Sequence, residues 1–232
     1  MSWFSRRRRD RDVEVEAPAE EEAAPVGPGP HDVADVPDLG SRIDLGALRV
    51  PGSAGTQVRL EVEKKTRNAV AVTVAKAGSA MQLQVFAAPR STGLWDDLRT
   101  EIADSIGKQG GTTEELTGRF GTELLARLPV KTPEGGSGHR PARFVGIDGP
   151  RWFLRAVLTG KAAVESEAAA ELEELLTDVV VVRGAAPHAP RDILVLQAPG
   201  KGTQHASADD EKDGKDDGLG LPRRGPEITE VR

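Results

Sequence analysis

The stretch AVAVTVAKAGSAMQLQVF, residues 69–86, decides the fold, because apolar side chains alternate with small or polar ones in both of its runs. The residues on the apolar side are Val70, Val72, Val74, Met81, Leu83 and Val85. The preceding segment QVRLEVE, residues 57–63, follows the same pattern with Val58, Leu60 and Val62. Alternation with one apolar side is typical of strands that bury one face of an antiparallel sheet.

Two later segments change to the period of a helix. In residues 91–111, Leu94, Leu98, Ile102 and Ile106 recur every four residues, and residues 161–178 carry a second apolar stripe that includes Leu172. Further strands are predicted at 42–50, at 118–130 and on both sides of a turn at 148–150. The fully apolar runs VVVV (179–182) and ILVL (193–196) predict central strands buried on both faces.

This order predicts one α+β domain over residues 41–197, with a mainly antiparallel sheet and two amphipathic helices packed on it. Residues 1–40 and 198–232 are predicted to be disordered tails, because they are rich in charge, glycine and proline and poor in apolar side chains. The tails hold eleven of the 31 basic and eighteen of the 37 acidic residues, which leaves 20 basic and 19 acidic residues for the domain. A nearly neutral domain argues against nucleic-acid binding, which normally needs a positive excess.

No motif in the chain predicts catalysis, a metal site or a cofactor. There is no cysteine, which excludes a thiolate nucleophile and agrees with a cytoplasmic location. Asp97, Glu101 and Asp104 share one face of the first predicted helix, and the simplest interpretation is a solvent-facing side. The chain shows neither an apolar run of transmembrane length nor a signal peptide. The histidines, which show no ligand spacing, are His31, His139, His188 and His205.

The strand after the predicted turn offers the best candidate binding surface. Arg151, Phe153 and Arg155 alternate on one face of it, and Arg143 and Arg140 lie on the neighbouring strand. Arginines around an aromatic ring could hold a carboxylate or a phosphate. The alternative is that the arginine stems cover apolar surface and pair with the glutamates of the second helix. Those glutamates are Glu165, Glu167, Glu171, Glu173 and Glu174.

Both tails carry short candidate attachment elements. The N-terminal element consists of Trp3, Phe4, Arg6, Arg7, Arg8 and Arg9. An aromatic and basic cluster could make weak peripheral contact with an anionic membrane, although nearby acids repel the same surface. The C-terminal element, Leu219–Arg232 (LGLPRRGPEITEVR), contains Arg223 and Arg224 and could act as a linear motif. An ordinary solubilising terminus is the alternative at both ends.

Three segments together resemble one known family. They are LQVFAAPRSTGLWDDLRTEIADSIGKQGG (83–111), GRFGTELLARLPV (118–130) and IDGPRWFLRAVLTG (147–160). In their order and amino-acid sequences they resemble an actinobacterial family named domain of unknown function 3710, over about residues 40–197. The resemblance implies cytoplasmic proteins with a globular centre and variable charged ends. It implies no activity and no site.

The sequence therefore predicts a non-catalytic interaction module with an unidentified protein partner. One alternative is an enzyme with an unrecognised acid/base site near Asp148 or on the helix that holds Asp97. The other is attachment to a membrane or to nucleic acid through Arg6–Arg9.

Overall fold

The alternating runs become the middle of a seven-stranded sheet. The computed structural model describes residues 29–90, 93–131 and 136–199. Its strands are β1 (His31–Asp32), β2 (Arg42–Asp44), β3 (Leu48–Pro51), β4 (Gln57–Val62), β5 (Ala69–Lys76), β6 (Ser79–Ala87), β7 (Thr112–Gly118), β8 (Gly121–Lys131), β9 (Ser137–Gly149), β10 (Trp152–Gly160) and β11 (Val180–Val181). Its helices are α1 (Trp95–Lys108) and α2 (Ser166–Thr177).

The large sheet has the order β4-β5-β6-β10-β9-β8-β7, and every neighbouring pair in it is antiparallel. A second sheet has the order β1-β11-β3-β2, with β1 parallel to β11. The predicted α+β class with a mainly antiparallel sheet is confirmed.

One face of the large sheet carries the main core. Met81, Leu83 and Val85 of β6 are buried there, as the alternation predicts. They belong to the same apolar cluster as Leu172 and Leu176 of α2. Leu45, Leu48 and Val181, which lie in or beside the second sheet, complete this cluster. Burial of these side chains supplies most of the free energy that holds α2 and the second sheet to the large one.

The opposite face of the sheet is only partly apolar. Near one end lies a small aromatic cluster, formed by Phe86 of β6, Phe144 of β9 and Phe153 of β10. It packs against Leu94, which precedes α1, and against Trp95, Leu98 and Ile102 of α1. Trp95 reaches the backbone of β9 because residue 146 is glycine, and a β-carbon there would overlap the indole. We call this side of the sheet the α1 face.

Several predicted boundaries are wrong. Residues 31–32 form β1 instead of belonging to a tail, so the predicted domain start at residue 41 lies too late. The predicted strand at 118–130 is the end of β7 joined to β8 by a turn. The predicted helix at 161–178 is a short 3-10 turn followed by α2, which leaves Val164 62% exposed.

Two apolar runs also differ from expectation. The run at 193–196 forms only isolated bridges, and Ile193 and Val195 are exposed, because the segment passes along the ends of β5 and β6 instead of entering the sheet. VVVV at 179–182 contributes the two-residue strand β11, which is central in the second sheet. Val62 is 57% exposed at the end of β4, where the register with β5 shifts.

Candidate functional site

The α1 face carries an open groove beyond the part that α1 packs against. Its volume is about 380 Å³, and it crosses β4, β5, β6, β10, β9 and β8. Small side chains, Ala80 and Ala142, make space at its floor. Its other lining residues are Glu61, Thr73, Gln82, Leu128, Arg140, Val157, Thr159 and Gly160. The groove therefore offers hydrogen-bonding groups around a small apolar floor.

Hydrogen bonds fix the polar wall of the groove at its β4 end. The Thr73 hydroxyl donates to Glu61, and Gln82 Nε2 donates to Glu61 Oε2 at 2.6 Å. The Glu61 carboxylate thus holds two side chains from two neighbouring strands. At the other end, Arg140 is exposed and makes no ion pair with a described residue. The two ends of the groove therefore carry opposite charges.

Arg155 lies on the same face, next to the groove. Val157 pairs with Gln82 in the groove, and Arg155 pairs with Gln84 two residues further along both strands. The Arg155 guanidinium donates to Gln84 Oε1 and lies over the Phe86 ring at 5.4 Å from its centroid. No described acid forms an ion pair with it, and burial lowers the pKa of Arg155. Arg155 is therefore a partly buried cation with no ion-pair partner among the described residues.

The structure separates the four residues that the sequence placed on one surface. Arg155 is on the α1 face, but Arg143 lies opposite Leu158 in β9 and points to the core face. Phe153 is fully buried between Phe86 and Trp95, so no ligand reaches it. Arg151 has φ of 63° and lies in the turn before β10, outside the strand alternation. The expectation of one shared surface is wrong, and only Arg155 remains next to the groove.

Arg143 behaves as the alternative interpretation expected, because it pairs with α2. Its guanidinium bonds to Glu173 of α2 and lies 3.4 Å from Glu123 Oε2 of β8. The side chains of Arg143, Glu173 and Glu123 are 14%, 13% and 1% exposed. Burial raises the pKa of Glu123, Arg143 opposes this effect, and Glu173 adds to it. We call these three residues the buried charge cluster.

Neither the cluster as a whole nor the groove is predicted by the sequence, which indicates only that arginines of this region could pair with glutamates of the second helix. Glu123 stands in an ordinary polar position of the strand pattern, and Gln82 and Gln84 stand on the side of β6 assigned to solvent. The residues on the polar sides of β6 and β10 could have indicated the site. These sides carry glutamine and arginine although both strands are flanked on each side by other strands of the sheet.

Asp148, near which the sequence analysis placed a possible acid/base site, holds α1 in place. Its Oδ1 accepts the Leu94 N–H at 2.6 Å and its Oδ2 accepts the Trp95 N–H at 3.3 Å. The Trp95 indole N–H donates to the Thr122 carbonyl at 2.6 Å. Asp97 is exposed in the first turn of α1, in agreement with a solvent-facing side. The first turn of α1 is thus fastened to both β9 and β8.

We expect Asp148→Ala to lower the free energy of unfolding by about 1–2 kcal/mol, because two N–H groups at the start of α1 lose their acceptor. Thermal unfolding measures the loss, and amide hydrogen exchange should show faster exchange at Leu94 and Trp95. Asp97→Ala removes an acid from the same turn without removing a cap and is the matched control. Equal effects of the two substitutions would contradict the capping role of Asp148.

The remaining sequence candidates lie outside the described residues. These are Trp3, Phe4, Arg6, Arg7, Arg8, Arg9, Arg223 and Arg224. Within the part of the chain that the structure describes, no group of three or more His, Cys, Asp and Glu side chains could hold a metal ion. The described helices include none that is both long and apolar enough to span a membrane.

Together these features define an α+β protein with a mainly antiparallel sheet, one face of which carries an open polar groove. The chain belongs to the family described as protein of unknown function (DUF3710), whose model matches residues 29–205. The resemblance found in the sequence is thereby confirmed, and the match begins two residues before β1. No curated protein matches the chain.

Proposed function

We propose that this chain is a non-catalytic binding module that takes up an acidic, extended segment of a partner protein along the groove of the α1 face. Arg155 is the observation that carries the proposal. Its side chain is partly buried, yet among the described residues its guanidinium contacts only the Gln84 carbonyl and the Phe86 ring and has no anion. A carboxylate from a partner would supply the missing anion and could bind the guanidinium through two hydrogen bonds.

An unpaired buried cation is costly to the folded protein. Desolvating a charge without a counter-charge disfavours folding by several kcal/mol in extreme cases, and buried charges in proteins are normally paired. In this protein Glu171, Glu173 and Glu174 of α2 pair with cations other than Arg155, as Glu173 does with Arg143. The cost at Arg155 therefore has a functional explanation in a ligand that neutralises it.

The dimensions of the groove favour a protein segment. It crosses six neighbouring strands, which lie about 4.8 Å apart, so its length is roughly 24 Å. An extended chain advances about 3.3 Å per residue, and about seven residues would fill the groove. Thr73, Gln82 and Thr159 could bond to the backbone of such a segment, while Leu128 and Val157 could contact its side chains.

The location and the tails complete the proposal. The cysteine-free composition suits a reducing cytoplasm, and we propose a cytoplasmic partner. Attachment through the Trp3–Arg9 element or through Arg223 and Arg224 stays a separate proposal, supported only by the aromatic and basic composition of these segments.

Selection of displayed random peptides on the full-length protein tests the function. We expect the selected peptides to be enriched in Asp and Glu. Fluorescence anisotropy should show that they bind the Arg155→Met variant about tenfold or more weakly than the wild type. Arg127→Met is the matched control, because it also removes an arginine from the sheet. Arg127 is exposed and lies in β8 on the same face as Arg143, opposite to the groove. Peptides without acidic residues, or equal losses in both variants, would contradict the proposal.

Arg155→Met should weaken peptide binding but raise the stability of the folded protein. Methionine keeps most of the apolar stem and removes the desolvated charge, so we expect a gain of about 1 kcal/mol, or roughly 2–4 °C in the unfolding midpoint. A residue kept for folding alone would lose stability on this change. Differential scanning fluorimetry of Arg155→Met and of Arg127→Met distinguishes the two cases.

A further inference from the structure

The outer edge of the large sheet is an unpaired strand. Among the described residues β4 pairs only with β5, and β5 lies between β4 and the rest of the sheet. None of the backbone hydrogen bonds recorded between described residues reaches the outer side of β4. A strand edge of this kind is a ready template for another strand.

The direction of the β4 backbone groups can be worked out. Glu63, next to β4, donates its N–H to Asn68 O at 2.9 Å, towards the β5 side. Because backbone groups alternate between the two sides of a strand, those of Val58, Leu60 and Val62 point to the outer edge. The register shift near Val62 is taken up by an extra residue in β5, Val70, so β4 stays regular.

We propose that a second copy of this chain binds here, through antiparallel pairing of β4 with β4 around a two-fold axis at Leu60. In this register Leu60 faces Leu60 of the other copy, and Val58 faces Val62. All three residues have outward N–H and C=O groups, so the ladder of backbone hydrogen bonds can form. The pairing is isologous, as expected for a closed dimer.

Side-chain chemistry favours this register on both faces of the joined sheet. Arg59 of each copy lies opposite Glu61 of the other copy, so the interface contains two symmetric pairs of opposite charge. These are the close, non-hydrogen-bonded positions of an antiparallel pair. On the other face Val62, 57% exposed in the single chain, is covered by Val58 of the second copy. The edge is thus complementary to itself in charge and in apolar contact.

Cysteine substitution tests the register directly, because the chain has no cysteine of its own. Under mild oxidation the full-length Leu60→Cys variant should form a disulfide dimer, since paired residues of an antiparallel ladder lie about 5.5 Å apart between Cα atoms. Val62→Cys is the matched control, because two copies of residue 62 would lie roughly 13 Å apart along the ladder. Equal cross-linking of both variants, or none for Leu60→Cys, would overturn the proposal.

A charge exchange provides a test that does not need a new disulfide. Sedimentation velocity should show a dimer of the wild type, and Arg59→Glu or Glu61→Arg alone should raise its dissociation constant by about tenfold or more. Mixing the two variants should restore the dimer, because both cross-strand pairs become attractive again. Arg127→Glu changes the net charge by the same amount as Arg59→Glu and should leave the dimer intact. A wild type that stays monomeric, or a mixture that does not associate, overturns the proposal, and neither result bears on peptide binding at Arg155.

Discussion

Trp152→Ala is expected to lower the free energy of unfolding by about 3–5 kcal/mol, the range for removing a large aromatic side chain from a core. Trp152 is 2% exposed and packs in the main cluster, with its ring against Gly149. Its indole N–H also donates to Asp32 Oδ2 at 2.7 Å. Chemical denaturation followed by circular dichroism measures the loss, which should make the folded state marginal.

Two milder substitutions separate the hydrogen bond from the packing. Trp152→Phe keeps most of the ring and loses the bond to Asp32, and Asp32→Ala loses the acceptor. Each should cost about 1–2 kcal/mol, and the double variant should cost less than the sum of the two. Full additivity would show that Asp32 and Trp152 do not interact, and that β1 contributes nothing through this contact.

Arg143→Met is expected to cost about 3–5 kcal/mol at neutral pH, because it leaves two acids of the buried charge cluster without their cation. Glu123 has 1% of its side chain exposed and Glu173 has 13%, so water compensates little for the loss. Urea denaturation at several pH values should show that the loss shrinks under acidic conditions, where Glu123 can take up a proton.

The pH dependence of the wild type follows from the raised pKa of Glu123. Because the folded state raises the pKa of Glu123 above its value in the unfolded chain, the folded state holds the proton more tightly. Glu123 therefore costs no stability below the unfolded pKa, about 4.3. The cost grows as the pH rises towards the folded pKa and is complete above it.

Glu123→Gln isolates this contribution, since glutamine has nearly the same shape and does not titrate. Between pH 4 and pH 8, values chosen to bracket the unfolded pKa of about 4.3, the variant should gain stability relative to the wild type as the pH rises. Glu114→Gln, at an exposed position on β7, is a control for the general effect of removing a carboxylate. A constant difference across this range would contradict the raised pKa.

The strand pattern predicted much of the fold because burial in an antiparallel sheet has a local signature. The alternation in residues 69–86 follows the burial of β6 and of Val72 and Val74 in β5, and the four-residue repeat from Leu94 marks α1. The alternation is wrong for Val70, which is half-buried because it is the extra residue where the register of β5 with β4 shifts. The pattern failed where pairing depends on distant residues. β1 has only two residues, and its place in the domain comes from Val180 and Val181, about 150 positions along the chain.

The candidate site was predictable only in part. Strand alternation placed Arg155 correctly opposite the Trp152 and Leu154 side, but it could not show that Phe153 lies beneath Trp95 or that Asp148 caps α1. Arg143 was grouped with Arg155 because neighbouring strands were compared without their register. The register places Arg143 opposite Leu158 and sends it to the other face.

The sequence by itself determined the class of the fold, the nearly neutral charge of the domain and the membership of the family. These properties depend on composition, on local periodicity and on the order of motifs. Only the tertiary structure decided which polar side chains meet: Arg143 with Glu123 and Glu173, and Arg155 with Gln84 beside the groove. Such meetings depend on strand order and register between distant segments, and a one-residue shift would move every side chain to the opposite face.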